Sequence, residues 1–162
     1  RNAGTVTRTD SHFDKLDITI LNALCENART PYLEIAREYG VSGAAVHQRV
    51  QRLMASNVIA GSHCVIAPST LGYHLVAYVG ITTKPGTGFD ELIDELSSIP
   101  EITECHVVTG RYDIIVKLHA RNNEDLLDLM QNKLRKLPIA NTETMVSFRE
   151  SFNRHLPIEN DR

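Results

Sequence analysis

Apolar positions recur along this chain at two different periods, and the change of period divides it. From Leu16 to Asn57 the spacing is helical. Leu16, Ile20, Leu21 and Leu24 form one stripe, preceded by Asp14 as an N-cap and supported by Asp17 in the first turn. Asn27–Thr30 breaks it. Pro31, placed at a first helical position where no N–H is needed, opens a second stripe of Tyr32, Ile35, Ala36 and Tyr39. Gly40 ends that helix in the left-handed conformation. After Val41, Ser42 caps a third helix whose inner side is Val46, Val50, Leu53, Met54 and Asn57. Two helices joined by so short a glycine-bearing turn make the helix-turn-helix pattern.

Beyond Asn57 the pattern alternates between period two and period 3.6. Ser62–Ala67 predicts a linking strand, and the turn-rich Pro68–Gly72 predicts a boundary. Strands follow at Tyr73–Thr83, Thr103–Thr109, Tyr112–His119 and Thr142–Glu150. Helix stripes lie at Phe89, Leu92, Ile93 and Leu96, and at Leu126, Leu127, Met130, Leu134 and Leu137, the latter closed by Pro138. Gly110-Arg111 reads as a two-residue hairpin loop. The order βαββαβ is the ferredoxin-like split arrangement, so the whole chain is α+β. The expected domains are a helix-turn-helix domain with its linking strand over 13–67 and a ferredoxin-like domain over 68–162. Residues 1–12 are polar and aperiodic and read as a tag remnant or flexible arm.

The strands of the second domain are apolar on both faces. Leu75, Ala77, Val79 and Ile81 can pack on helices, yet Val76 and Tyr78 occupy the other face, and Ile114 and Ile115 oppose each other likewise. A sheet covered by helices on one side alternates more cleanly, so the second face is expected to meet the sheet of a second subunit.

Composition changes this picture in two places. The net charge of −3 argues mildly against a nucleic-acid partner, but no acidic residue lies between Glu38 and Asp90. That stretch carries Arg49, Arg52 and Lys84 with His47, His63 and His74, and offers phosphate no local repulsion. Strand-rich sequence, poor in Asp and Glu, explains the same gap. Cys25, Cys64 and Cys105 are odd in number and far apart, which points to a reducing cytoplasm rather than a disulfide framework. No apolar run is long enough to span a membrane.

By helical phase Ala44, His47, Gln48, Gln51 and Arg52 face outward on the third helix or flank that face, with Ser42 at its start. Gln48 and His47 suit base edges, Arg49 and Arg52 suit phosphate, and Arg49 lies far enough inward to brace a neighbouring helix instead. Double-stranded DNA is the partner this pattern implies. The Gly110-Arg111-Tyr112-Asp113 segment can expose backbone N–H groups to a carboxylate while Asp113 holds an ammonium, as a free amino acid would require; by spacing alone the plain hairpin loop is the stronger reading. Phosphate-loop, dinucleotide, nucleophile-elbow and zinc-protease motifs are absent. Cys105-His106 and His63-Cys64 are strand neighbours pointing to opposite faces, so no metal site is expected, nor any cofactor.

These residues resemble the Lrp/AsnC, or feast/famine, family of regulators. The likeness covers Phe13 to about Glu150 and rests on Phe13-Asp14-Lys15-Leu16-Asp17-Ile18-Thr19-Ile20-Leu21, Asn27-Ala28-Arg29, Val41-Ser42, Arg49-Val50-Gln51-Arg52-Leu53, Val58-Ile59 and the run Glu104 to Asp113. It implies a winged-type helix-turn-helix, a ferredoxin-like ligand-binding domain, a homodimer and assembly to an octamer. It also implies an amino-acid effector near Gly110, Arg111, Tyr112 and Asp113, with Thr142 and Thr144 on one face of the last strand. Met54 and Asn57 stand where the family usually shows an acidic residue and a glycine, and Gly43 stands where proline is frequent. The expected function is DNA-binding transcription regulation modulated by a small amino acid, without enzymatic activity. The alternatives are a siroheme-decarboxylase-like enzyme recruiting His106 and His119, and an amino-acid-binding module acting through protein partners.

Overall fold

The computed structural model describes residues 13–159, and the arm expected at 1–12 lies outside them. The chain divides into two compact units. One runs through Cys64 and takes in the chain from Asn153; the other is Val65–Phe152.

The first unit is built from α1 (Lys15–Glu26), α2 (Tyr32–Tyr39) and α3 (Gly43–Ala55). Asp14 caps α1 reciprocally with Asp17: each carboxylate accepts the other residue's backbone N–H, at 2.9 and 3.2 Å. Pro31 sits at the N-cap of α2, one place earlier than expected. Gly40 (φ 79°) closes that helix, and the Gly40 and Val41 N–H groups both donate to Ala36 O. Leu16, Ile20, Leu21, Ile35, Ala36, Val46, Val50 and Leu53 form one buried cluster, each large member contributing about 1.5–3 kcal/mol. Tyr39 and Met54, expected inside, are 40% and 50% exposed: Tyr39 is the final residue of α2, and Met54 stands one position, about 100° of helical turn, past the buried Leu53.

Two expectations fail in this unit. Ser62–Ala67 forms no strand, and among the described residues the unit holds none, so the implied wing has no strand either. A strand needs a ladder partner, and this segment has none among the described residues; Val65 is 91% exposed. The second domain was also expected to run to 162, but the chain from Asn153 belongs with the helices. Ile158 packs on the helical cluster, and Asn22 Nδ2 donates to Ile158 O at 3.2 Å.

Asn57 marks the end of α3. It is the sole non-glycine with positive φ (60°) among the described residues, and the paired bonds Val58 N to Leu53 O and Asn57 N to Met54 O close the helix around it. The position therefore demands a left-handed residue. Asn57→Gly is expected to raise stability by about 0.5–1 kcal/mol and Asn57→Val to lower it by more, read as midpoint shifts in urea unfolding.

The second unit is a four-stranded sheet in the order β2-β3-β1-β4, antiparallel throughout, with strands β1 (Leu75–Thr83), β2 (Ile102–Val107), β3 (Ile114–Ala120) and β4 (Ile139–Ser147). Helix α4 (Phe89–Ser97) links β1 to β2, and α5 (Asn123–Asp128) continues as a π turn at Leu129–Lys133 and a 3-10 turn at Leu134–Lys136. The π turn brings Leu129 and Leu134 together into the core, whereas Leu127, expected there, is 56% exposed. Pro68–Leu71 is a 3-10 turn ending at Gly72. Ala77, Val79, Ile81, Ile114, Val116, Leu118 and Ala120 pack with Leu92, Leu96, Leu129 and Leu134 on the helix side. The opposite face carries Val76, Tyr78, Ile115, Lys117 and Met145, which the register sets side by side. Helices cover only one side.

Candidate nucleic-acid interface and effector site

Helix α3 presents its outer side as its phase requires: Ala44, His47, Gln48, Gln51 and Arg52 are all exposed. Ser42 works as a cap, its Oγ accepting Ala45 N–H at 3.1 Å. Gly43 lets the start of α3 approach α2 closely, since a Cβ there would stand 2.7 Å from Leu33 Cδ2. The His47 ring leans on Tyr32 of α2, centroids 5.9 Å apart, which limits its swing.

Arg49, expected to contact phosphate or to brace a neighbouring helix, is paired within the helical unit. Its Nη1 pairs with Asp14 Oδ2 and, at 3.2 Å, with Asp17 Oδ1, and its side chain is only 28% exposed. The backbone N–H of Asp17, and then the Arg49 guanidinium, hold the Asp14 carboxyl below the usual carboxylate range, while the two carboxylates push Arg49 further up. The helical phase left bracing open; the partners Asp14 and Asp17 were legible only as caps.

In the second unit the loop between β2 and β3 is wider than a two-residue hairpin. The last register pair is Val107 with Ile114, Val108 N donates to Asp113 O at 3.0 Å, and Thr109–Tyr112 forms the loop. Gly110 takes φ 111°, open to glycine alone, and nothing stands near where its Cβ would be. Asp113 pins this loop to the end of β1. Its N–H donates to Ile81 O at 2.9 Å, and its Oδ2 accepts from Thr83 N (2.9 Å) and Thr83 Oγ1 (3.0 Å). One oxygen of the carboxylate expected to hold an ammonium is thereby committed to Thr83.

Tyr112 lies flat against β1 at Gly80, where a Cβ would come within 2.7 Å of three ring atoms. Its hydroxyl donates to Glu143, which raises the phenol pKa, and Arg111 stands 3.4 Å from the same carboxylate with its guanidinium 5.7 Å from the Tyr112 ring centroid. Glu143 was missed by the sequence reading; alternation along β4 would have found it, given the pairing of Gly80 with Glu143. Thr142 and Thr144 do share a face, as expected, but it is the helix-bearing one. They pair with Ile81 and Val79 of the buried face, and Thr144 Oγ1 lies 3.9 Å from Met130 Sδ. The structure thus brings together Arg111, Tyr112 and Glu143 and separates them from the two threonines.

His106 and His119 register with Ile115 and Val76 on the helix-free face. His106 Nε2 stands 3.4 Å from Glu104, and burial holds the His119 imidazole below its ordinary pKa with Nδ1 lacking a hydrogen-bond partner. Among the described residues no group of three His, Cys, Asp or Glu is placed to hold a metal ion, and no helix is long and apolar enough to cross a membrane.

Residues 13–54 match the AsnC-type helix-turn-helix domain and residues 76–156 the Lrp/AsnC ligand binding domain. Regulatory protein AsnC of Escherichia coli (strain K12) is 35% identical over 134 residues, which is 82% of this chain and 88% of that protein. The chain belongs to the Lrp/AsnC family. Among its Lrp/AsnC relatives, the HTH-type transcriptional regulator LrpA of Pyrococcus horikoshii is 37% identical over 124 residues, 76% of this chain and 87% of that one. The solved structure of E. coli AsnC superposes with a TM-score of 0.84 at 33% identity, covering 89% of this chain and 97% of that chain. A feast or famine regulatory protein from M. tuberculosis complexed with L-methionine gives 0.83 at 25% identity, covering 90% and 99%. The chain, with its helical unit and its sheet unit taken together, therefore has the α+β architecture of Lrp/AsnC regulators.

Proposed function

We propose that this chain is a DNA-binding transcription regulator whose helix-turn-helix unit reads duplex DNA and whose sheet unit binds an amino acid and assembles the protein. The observation that carries the DNA reading is α3 itself: Ala44, His47, Gln48, Gln51 and Arg52 lie exposed on one capped helix, within a stretch lacking any acidic residue from Tyr39 to Phe89. Gln48 and His47 meet base edges, Ala44 admits the helix to the major groove, and Gln51 and Arg52 reach the backbone. The site of action is the cytoplasm, with the chromosome.

The effector reading rests on the Gly110–Asp113 loop. A zwitterionic amino acid places its carboxylate toward the Gly110 N–H and the exposed Arg111, and its ammonium toward Glu143 and Asp113. The relative complexed with L-methionine supports this ligand class. The helix-free face of the sheet pairs two subunits, and dimers assemble to octamers as the family resemblance implies. No observation favours the tetrapyrrole enzyme or the partner-protein module.

The test is a salt series of binding titrations on a duplex selected by the protein from a random library. Gln48→Ala is expected to change the preferred sequence. Arg52→Ala is expected to weaken every duplex alike and to lower the slope of log affinity on log salt by about 0.9 for each phosphate it no longer neutralises. Unchanged preference, affinity and slope in both variants would sink the reading.

A further inference from the structure

Helix α3 packs mainly along α2 and touches α1 over a short stretch only. Its start is fixed by the tight Gly40–Ser42 turn and the Ser42 cap. Farther along, at the level of the reading side chains, Arg49 ties it to Asp14 and Asp17 at the start of α1. All four carboxylate oxygens of Asp14 and Asp17 are engaged there. Asp14 Oδ1 accepts Asp17 N–H, Asp17 Oδ2 accepts Asp14 N–H, and the remaining oxygen of each receives Arg49 Nη1. Asp17 is 8% exposed, so the anchor on α1 is itself held in the unit's interior.

We infer that Arg49 is a positioning residue for DNA recognition: clamped between Asp14 and Asp17, it sets the rotation of α3 that aims Gln48, Gln51 and Arg52. This rests on the DNA-reading proposal above. Arg49 stands beside Gln48, and successive helical residues diverge by about 100°, so fixing one azimuth fixes its neighbours. Base-edge hydrogen bonds tolerate misplacement of about 0.5 Å, whereas backbone contacts adapt. A loosened α3 therefore loses discrimination before it loses general affinity. The charges suit the task, because a guanidinium neutralised by two carboxylates adds little net attraction for phosphate.

A phosphate-binding role for Arg49 predicts the opposite sign at Asp14. Removing a negative charge near DNA tightens binding if electrostatics alone operates; removing one jaw of a clamp weakens it. Asp14→Asn keeps an N-cap oxygen while losing that charge. The experiment measures affinity for the duplex that the wild-type protein selects and for a random duplex, across a salt series. Arg49→Met is expected to lower affinity for the selected duplex about tenfold, to leave the random duplex nearly unchanged and to keep the salt slope. Asp14→Asn is expected to weaken the selected duplex several-fold, and the double variant to be no worse than Arg49→Met alone. Equal weakening of both duplexes with a slope reduced by about one overturns the clamp, as does tighter binding by Asp14→Asn. If Arg49→Met fails to fold, Asp14→Asn decides by sign alone. A wild-type protein that selects no duplex overturns the DNA reading itself, which separates that failure from failure of the clamp.

Discussion

Tyr78→Asp is expected to convert the protein to monomers and to lower its affinity for a two-half-site operator by about 10²–10⁴. Tyr78 lies on the helix-free face of the sheet, registered between Lys117 of β3 and Met145 of β4, with Val76 and Ile115 close by. The Lys117 ammonium stands 6.0 Å over the Tyr78 ring and 3.5 Å from Glu104. Such a face, apolar at its middle and ion-paired at its edge, suits a second copy of itself across a two-fold axis. Aspartate in the middle would bring like charges together across that axis in a desolvated setting. The sheet itself should survive, because Ala77 and Val79 on either side point into the helical core and are untouched. Light scattering reads the mass, circular dichroism the fold, and operator titration the reduced avidity. A folded Tyr78→Asp dimer with wild-type affinity would remove the sheet face from the assembly.

The helices were legible because each carries its own signals. Asp14, Ser42 and Gly40 cap where their side chains or positive φ predict, and the buried stripes follow from 3.6-residue spacing. The sequence of strands and helices in the second unit followed from the alternation of apolar periods. What stayed hidden depends on partners distant in sequence. Nothing local says that Asp113 meets Thr83, that Tyr112 rests on Gly80, or that Arg49 reaches back to Asp14. The register of β4 decides whether Thr142 or Glu143 joins Tyr112, and one residue of slip exchanges them. The π turn at Leu129 and the docking of Ile158 on the helices likewise have no periodic signature. The Ser62–Ala67 segment shows the converse error: a strand-like sequence with no ladder to join.

Asp113→Ala is expected to destabilise the sheet unit by about 2–3 kcal/mol and to weaken amino-acid binding at least tenfold. Its carboxylate accepts both the N–H and the hydroxyl of Thr83, at the point where the pairing of β1 with β4 shifts register. On its other side β1 pairs with β3 only as far as Ile81 with Ile114, so beyond that pair the side chain of Asp113 serves Thr83 as a local acceptor. Without it, Thr83 N–H is left without its side-chain acceptor, and the Thr109–Tyr112 loop keeps only its backbone bonds. Tyr112 is then expected to slide from Gly80 and separate from Glu143, dispersing the groups proposed to face the ligand. Asp113→Asn distinguishes two causes of the weaker binding. It retains an acceptor oxygen for Thr83 but no charge for an ammonium, so near-complete recovery assigns Asp113 to holding the loop, and no recovery assigns it to the ligand's charge. Calorimetric titration with the tightest-binding of the twenty amino acids, alongside urea unfolding of each variant, gives both numbers. Wild-type binding by Asp113→Ala would place the effector away from this loop, on the helix-bearing side where Thr142 and Thr144 stand.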